Sequence, residues 1–419
     1  MKSIAMENQQ ERLILVAAQK KIHSEEDALE SLDELEELVE TAGGIVLDKV
    51  LQRVERINAG LYIGSGKVEE IKELVYQKGA TGVVFDDELS PMQMRNLALA
   101  FEVKVLDRTM VILDIFASRA LSKEGIIQVE MAQLKYQYSR LTGFGEMLSR
   151  QAGGIGSKGP GEKKLELDKR HIKVRMEILK NELEEIEKHR QLIRSRREKV
   201  NTSVIAIVGY TNAGKSTLLN TLCKSDVLVK NQLFATLDPT TRSTKLPSGS
   251  EVLVTDTVGF IRKLPHHLIK AFYSTLEEAK YADVILHVMD SSSPHLKTHQ
   301  EVVHETLGKL GIQDIPIIAV YNKMDKAPDL YPKVDWTEYQ IAISAKQGLQ
   351  IDNLLQLIED LLYSGRKAFH IHVPYSNQDI VAFCHKYGER LKEDYEAEYV
   401  SVQGYMPKEK YFKIEPYCR

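Results

Sequence analysis

The chain contains 419 residues, with 56 basic and 60 acidic side chains and a formal net charge of −4. This length predicts several domains, and the near balance of charge excludes a chain that is basic throughout, so any nucleic-acid surface is a local patch. The three cysteines form no C-x-x-C pair, which excludes a disulfide framework and a cysteine-based zinc site. The apolar run Leu13–Ala18 is too short to span a membrane or to act as a secretion signal. We therefore expect a cytoplasmic protein without a membrane span.

Residues 1–122 alternate short apolar runs with helical patterns, which predicts an N-terminal α/β domain. The predicted helices are Glu25–Thr41, Val68–Gln77 and Pro91–Ala100. The predicted strands are Leu13–Ala17, Ile45–Val54, Leu61–Ile63, Gly82–Phe85 and Val103–Leu106.

Residues 123–201 carry two runs of apolar residues spaced three and four apart, a pattern typical of packed helices. The first run is Ile127, Met131, Leu134, Tyr138 and Leu141, and the second is Ile172, Met176, Leu179, Leu183, Ile186 and Ile193. Seven glycines lie between them in Gly143–Gly161. The pattern predicts a long helical hairpin with a glycine-rich tip, and the alternative is two helices that pack separately on other domains.

Residues 202–365 predict a second α/β domain with a doubly wound, mainly parallel sheet. Its predicted strands are Val204–Val208, Val252–Thr255, Val284–Met289, Ile315–Val320 and Gln340–Ile343. Residues 366–419 predict a small α+β domain, with a helix at Asp379–Tyr387 and strands at Phe369–Val373, Glu398–Tyr405 and Tyr411–Ile414.

A phosphate-binding loop follows the strand Val204–Val208. The segment Gly209–Ser216 matches G-x-x-x-x-G-K-S, and a helix is predicted from Thr217. Its backbone N–H groups can donate hydrogen bonds to a phosphate, Lys215 can reach the β- and γ-phosphates, and Ser216 can ligate Mg²⁺. The predicted nucleotide-binding residues are Gly209, Tyr210, Thr211, Asn212, Ala213, Gly214, Lys215, Ser216 and Thr217.

A D-x-x-G motif follows the next buried strand. In Asp256-Thr257-Val258-Gly259, the aspartate suits Mg²⁺ through a water molecule and the Gly259 N–H suits the γ-phosphate. Because the motif lies about 45 residues after the phosphate loop, its spacing agrees with that of a P-loop NTPase.

Two further motifs follow later strands and predict recognition of guanine. In Asn322-Lys323-Met324-Asp325, the Asp325 carboxylate can accept hydrogen bonds from guanine N1–H and N2–H₂, a pair that adenine lacks. Ser344-Ala345-Lys346 suits the O6 side of the base. The four motifs in this order predict a GTPase, and the combination resembles the translation-factor-like class.

The segment between the phosphate loop and Asp256 should supply a threonine for Mg²⁺ and the γ-phosphate. Phe234, Ala235, Thr236, Leu237 and Asp238 precede Pro239-Thr240-Thr241, and both Thr236 and Thr240 are candidates. Spacing alone leaves this choice open.

The motifs together resemble the HflX family of ribosome-associated GTPases. The resemblance covers roughly residues 10–365, and the motifs that carry it are Tyr62–Lys67, Gly153–Glu162, Phe234–Thr240, Asp256–Phe260, Leu264–Leu268 and Ala271–Glu277. It implies Thr236 as the threonine ligand, so the candidate catalytic residues are Lys215, Thr236 and Gly259, and the candidate Mg²⁺ ligands are Ser216, Thr236 and, through water, Asp256. It also implies GTP hydrolysis, binding to the large ribosomal subunit and separation of ribosomes under stress. We expect a monomer.

Three further interpretations stay open. Basic residues flank the glycine-rich tip, among them Lys158, Lys163 and Lys164, which favours contact with ribosomal RNA over a plain solvated helix. Asn212 lies where a K⁺ ion could assist hydrolysis, or it simply bonds the loop backbone. The alternatives to an active GTPase are a GTP-gated ribosome-binding module with little turnover and an ATP-dependent RNA remodeller that acts through the N-terminal region.

Overall fold

The fold is taken from a computed structural model, which describes residues 10–21, 24–151, 160–200, 202–224, 233–263, 278–312, 315–326, 336–363 and 366–418. The chain divides into two compact units. The first comprises Met1–Lys188, Val229–Asp238 and Val258–Leu276, and the second comprises His189–Leu228, Pro239–Thr257 and Glu277–Arg419. Each unit is described by itself, and the four domains predicted from the sequence stay a prediction.

A parallel sheet in the order β2-β1-β3-β4 forms the start of the first unit. Apolar residues on both faces of its central strands are buried, as in other sheets covered by helices on two sides. Its strands are β1 (Arg12–Lys20), β2 (Ile45–Val54), β3 (Gly82–Phe85) and β4 (Lys104–Asp107), and its helices are α1 (Glu25–Thr41), α2 (Ser65–Lys78), α3 (Pro91–Phe101) and α4 (Arg108–Arg119).

Two features of this region differ from the sequence prediction. The predicted strand Leu61–Ile63 is a turn, because the Asn58 side chain accepts hydrogen bonds from the N–H groups of Gly60 and Leu61, at 2.8 and 2.9 Å. Helix α4 was not predicted, since its buried residues lie on more than one face and give no simple amphipathic pattern.

The helical hairpin that the sequence predicts is present in α5 (Lys123–Gln151) and α6 (Pro160–Val200). Ile127, Met131 and Leu134 of α5 pack with Met176, Leu179, Leu183 and Ile186 of α6. Arg175 also forms an ion pair with Glu130, at 2.6 Å. Helix α5 continues through Gly143 and Gly145, so part of the predicted loop is helical; residues 152–159, with Lys158, lie outside the described residues.

The second unit contains the predicted doubly wound sheet, in the order β10-β9-β8-β5-β7-β6. Its strands pair in parallel except for β6, which is antiparallel to β7. The strands are β5 (Val204–Gly209), β6 (Thr240–Lys245), β7 (Glu251–Asp256), β8 (Val284–Asp290), β9 (Ile317–Asn322) and β10 (Gln340–Ala342), and the described helices are α7 (Lys215–Cys223), α8 (Leu296–Lys309) and α9 (Ile351–Leu362).

The C-terminal residues of this unit form an antiparallel sheet in the order β11-β13-β12, covered by a helix. The elements are β11 (Arg366–Pro374), α10 (Gln378–Tyr387), β12 (Glu389–Tyr395), β13 (Tyr399–Pro407) and α11 (Lys408–Tyr411). The predicted strand Tyr411–Ile414 is wrong: α11 and a turn occupy it, and Ile414 is buried in the domain core. Strand β12 was missed because it is rich in charged residues.

Across the described helices, none is long and apolar enough to cross a membrane.

Candidate nucleotide-binding site

The phosphate loop connects the end of β5 to the start of α7, as the sequence predicts. Gly214 has a φ of 95°, which favours glycine, and a Cβ atom there would lie 2.3 Å from Nδ2 of Asn322. The close approach explains why a glycine is needed, and it brings Asn322 of the guanine motif directly against the loop. The loop amides at the N-terminus of α7 form a cradle suited to phosphate.

Lys215 is buried within this loop. Its Nζ donates hydrogen bonds to the carbonyl oxygens of Gly209 and Tyr210, at 3.1 and 2.7 Å. Burial lowers the pKa of Lys215 to about 8, although the nearby Asp256 carboxylate acts in the opposite direction. The ammonium is thus held in a desolvated position, where its interaction with a phosphate would be strong.

Ser216 and Asp256 meet beside the loop. The Ser216 hydroxyl donates a hydrogen bond of 2.7 Å to Oδ2 of Asp256, which ends strand β7. A hydroxyl and a carboxylate provide the oxygen ligands that Mg²⁺ prefers, so these residues fit the expected ion. The neighbouring Thr257 donates to the Ile207 carbonyl at 2.7 Å, which fixes the end of β7 against β5.

The two guanine motifs lie together. Asn322 donates from Nδ2 to the Ala213 carbonyl at 2.9 Å, and its Oδ1 accepts from the Ala345 N–H at 3.0 Å. The Ser344 hydroxyl donates to Oδ1 of Asp325 at 2.6 Å. Asn322 therefore bridges the phosphate loop and the second motif, while Ser344 orients the carboxylate that is predicted to recognise guanine.

Asp290 is a residue of this site that the sequence analysis missed. Its carboxylate lies 2.6 Å from Nζ of Lys323, which also donates to the Asn212 carbonyl at 2.9 Å. Burial opposes ionisation of Asp290, but the hydrogen bond and charge of Lys323 outweigh it and lower the pKa. An aspartate directly at the end of the buried strand β8 was the available signal.

Thr236 and Gly259, two of the three candidate catalytic residues, belong to the first unit, and their part in binding nucleotide stays a prediction. In that unit, the Phe234 ring is buried against Phe116, with ring centroids 4.7 Å apart. The Asp238 carboxylate accepts hydrogen bonds of 2.8 Å from the N–H groups of Leu121 and Ser122, directly before α5. The alternative threonine, Thr240, begins β6 and pairs in register with Asp256.

The residues that follow the D-x-x-G motif contact α1 and the loop after β3 in the first unit. Lys263 forms ion pairs with Asp86 and, at 2.8 Å, with Asp87. Arg262 lies 2.6 Å from Glu30 on α1. Burial opposes ionisation of Asp87, but the Lys263 ammonium outweighs it and lowers the pKa of that carboxyl. The family motifs Leu264–Leu268 and Ala271–Glu277 lie outside the described residues.

Three family models match the chain in succession. Residues 29–117 match a family described as GTP-binding GTPase N-terminal, and residues 119–197 match GTP-binding GTPase Middle Region. Residues 204–323 match 50S ribosome-binding GTPase, a segment that includes the phosphate loop, Asp256 and Asn322. The matched segments together span most of the chain.

Relatives named GTPase HflX match this chain over most of its length. GTPase HflX of Lacrimispora saccharolytica is 53% identical over 97% of this chain and 96% of its own length. GTPase HflX of Caldanaerobacter subterraneus is 50% identical over 94% and 90%, and that of Escherichia coli is 42% identical over 82% and 81%. Among solved structures, a complex of SsGBP with GDP covers 85% of this chain and 99% of its own, at 26% identity and a TM-score of 0.46.

Proposed function

Because this chain belongs to the HflX family and is a GTPase, we propose that it binds the large ribosomal subunit, that it uses Mg²⁺ for hydrolysis and that it separates ribosomes under stress. The observation that carries the proposal is the match of residues 204–323 to a ribosome-binding GTPase family, over the segment that contains the phosphate loop. We place its action in the cytoplasm, as a monomer.

In the proposed reaction, water attacks the γ-phosphate of bound GTP. Lys215 and the loop amides hold the phosphates and stabilise the charge that develops on them. Bound Mg²⁺ would neutralise phosphate charge, held by Ser216 and, through water, Asp256, with Thr236 completing the set. Asp325, oriented by the Ser344 hydroxyl at 2.6 Å, would select guanine.

Hydrolysis by the free protein is expected to be slow. Phe260 occupies the position after Gly259, where Ras-like GTPases have a glutamine that orients water, and its ring is buried. An apolar ring has no group that orients water, so the missing group would come from the ribosome. Multiple-turnover rates with and without 50S subunits test this point, and equal rates would contradict it.

Ribosome separation needs its own measurement, because a GTP-gated binding module would bind subunits without separating them. We expect light scattering by 70S ribosomes to fall when the protein is added with GTP or a non-hydrolysable analogue. Sedimentation with separated subunits, in GDP and in the analogue, identifies the subunit that is bound. Binding to 50S with unchanged 70S scattering would support the module and contradict separation.

The hairpin tip is the proposed contact with ribosomal RNA. Helices α5 and α6 pack along the seam around Leu179 and lie before and after Lys158 in the sequence, while Lys163 and Lys164 fall near the start of α6. Phosphate contacts make affinity fall steeply with salt, so changing all three lysines to alanine should weaken 50S binding and flatten its salt dependence. GTP affinity is the control and should stay near wild type. If the 50S affinity and its salt dependence are both unchanged, the hairpin is only a spacer and the RNA contacts lie elsewhere.

Potassium is a second proposed cofactor. Asn212 has a φ of 59°, and its carbonyl already accepts a hydrogen bond from Lys323. A side-chain oxygen at this position would place K⁺ beside the phosphates. GTPase rates in KCl and NaCl at equal ionic strength, for wild type and Asn212→Ala, test the proposal: it requires a potassium preference that the variant lacks.

A further inference from the structure

The C-terminal domain presents a cluster of lysines and aromatic rings, which we call the lysine–aromatic face. Its rings belong to Phe383 and Tyr387 on α10 and to Tyr411 at the end of α11. The Lys410 and Lys386 ammonium groups lie 5.3 and 5.1 Å from the centre of the Tyr387 ring. The remaining pairs are Lys413 over Phe383 at 4.4 Å and Lys367 over Tyr411 at 3.8 Å. The Phe383 and Tyr387 rings lie 4.7 Å apart, which joins these pairs into one patch.

The four lysines are exposed, and among the described residues no carboxylate lies within ion-pair distance of their ammonium groups. Glu409 lies on α11 itself, and Glu415 follows the end of α11 by four residues. Most of the other acidic residues of the domain lie on β12 and the turn after it: Glu393, Asp394, Glu396 and Glu398. Strand β12 is at the opposite edge of the sheet from β11. Glu393 of β12 pairs with His385 of α10 at 2.6 Å, directly before Lys386, so carboxylates border the face, but none of the described ones pairs with its four lysines.

An uncovered ring lies next to these lysines in the sequence. Phe412, between Tyr411 and Lys413, is 68% exposed, which is unusual for a phenylalanine next to a packed core. Its neighbour Ile414 is fully buried in that core, so the backbone beside the exposed ring is held in place. An exposed ring on a fixed backbone, between Lys410 and Lys413 in the sequence, is a platform on which a nucleic-acid base can stack.

We propose that the lysine–aromatic face binds RNA, with phosphates on the lysines and an unstacked base on Phe412. The four lysines pair with no carboxylate in the part of the chain that the structure describes, which suits phosphate. The exposed ring distinguishes a nucleic-acid strand from an acidic protein segment, which offers charge but no bases. In the cell this RNA would belong to the ribosome, and to that extent the inference rests on the proposed function. The face lies in residues that the three family models do not match.

Fluorescence anisotropy of the full chain with a labelled 12-nucleotide oligouridylate tests the proposal. We expect Lys386→Ala, Lys410→Ala and Lys413→Ala together to weaken binding at least tenfold and to flatten the salt slope by about 2, since each single-strand phosphate contact adds about 0.7. Phe412→Ala should weaken binding about tenfold without changing the slope. The charge-matched control is Lys280→Ala, Lys297→Ala and Lys309→Ala, three exposed lysines outside this domain, which should bind like wild type.

Two further measurements separate the outcomes. Replacing the three face lysines with arginine should keep RNA binding, and unchanged far-UV circular dichroism and protease resistance of residues 366–418 show that this region is folded in each variant. A 4-thiouridine version of the probe should crosslink within residues 408–413, whereas crosslinks only at the hairpin tip would overturn the inference.

The inference would also be overturned by unchanged RNA affinity in the lysine variant, or by preference for a 12-residue polyglutamate over RNA. If the wild-type protein fails to sediment with 50S subunits but still crosslinks to the probe at the lysine–aromatic face, only the proposed function is contradicted.

Discussion

Lys215 combines two demands that conflict in the free protein. It must be desolvated to act strongly on phosphate, yet desolvation disfavours its charge, and its pKa is lowered to about 8. Below pH 8 both the native and the unfolded protein carry the proton, so the full cost of burial is present. Between about pH 8 and 10.5 the native state loses the proton first, so this cost is relieved and stability rises with pH.

Lys215→Met should therefore stabilise the nucleotide-free protein at pH 7. The lowered pKa sets an upper limit of about 3 kcal/mol, reduced by the two carbonyl hydrogen bonds that are lost. The difference between variant and wild type should shrink as pH rises from 8 to 10. Urea unfolding at several pH values measures it, and Lys297→Met, at an exposed lysine, is the control. A constant difference across this range would contradict the buried charge.

Asp325 tests the assignment of guanine recognition. Asp325→Asn replaces an acceptor of two hydrogen bonds from guanine, and we expect GTP binding to weaken about 100-fold or more. The Oδ1 atom that accepts from Ser344 is retained in asparagine, so the local structure should survive. Xanthosine triphosphate, which offers an oxygen where guanine has an amino group, should bind the variant better than GTP does. Fluorescence titrations measure the affinity of wild type and variant for both nucleotides, and an unchanged GTP affinity would refute the assignment.

At the scale of elements, Asp238 connects two parts of the first unit that are far apart in sequence. Its carboxylate accepts from the N–H groups of Leu121 and Ser122, while Ser122 caps α5 by accepting from the Gly125 N–H at 2.9 Å. A carboxylate at the start of a helix also interacts favourably with the helix dipole. A segment predicted to bind nucleotide thus stabilises the first turn of the hairpin.

Asp238→Ala should destabilise the start of α5 by about 1–2 kcal/mol, since hydrogen bonds from two N–H groups and from the Ser122 hydroxyl are lost at a helix N-terminus. Hydrogen exchange should accelerate at Leu121 and Ser122 and in the first turn of α5, but not in the seam around Leu179. Asp238→Asn keeps an oxygen acceptor and should show a much smaller change. Equal exchange in wild type and the alanine variant would mean that these hydrogen bonds contribute nothing.

At the scale of the whole chain, the second unit contains both the nucleotide-binding sheet and the C-terminal sheet, which share a contact. Tyr363, directly after α9, stacks on Tyr405 of β13 with ring centroids 3.9 Å apart and an angle of 9°. The Tyr405 hydroxyl also donates to Oε1 of Glu359 on α9, at 3.5 Å. This contact explains why residues 366–418 belong to the same compact unit as the nucleotide-binding sheet.

Tyr405→Ala should uncouple the C-terminal domain from the rest of its unit. We expect a loss of about 1–3 kcal/mol, because both the stacking and part of the ring burial disappear. Calorimetry should show a separate transition at lower temperature, and residues 366–418 should become sensitive to protease first. Tyr395→Ala, at a ring that is 71% exposed, is the control. A single transition unchanged from wild type would contradict the coupling.

The sequence by itself determined the four nucleotide motifs and the packing of α5 against α6. The alternation of strands and helices also indicated that the strands pair in parallel. These features depend on short-range physics: a phosphate loop uses the amides of one contiguous segment, and a heptad-like seam needs only a fixed spacing of apolar residues. They are therefore visible in local patterns, such as Gly209–Ser216 and the run from Met176 to Ile186.

Only the tertiary structure decided which distant residues meet. Strand β6, whose residues alternate between partly buried and exposed, is stabilised by antiparallel pairing with β7, and α4 is buried on several sides, so neither has a strong local signal. The ion pair of Asp290 with Lys323, the hydrogen bonds of Asp238 before α5 and the turn that replaces the predicted strand Tyr411–Ile414 likewise depend on chain topology. Such contacts join segments that are neighbours in space but not in sequence, and their energies arise only when the surrounding fold brings the partners together and removes water from between them.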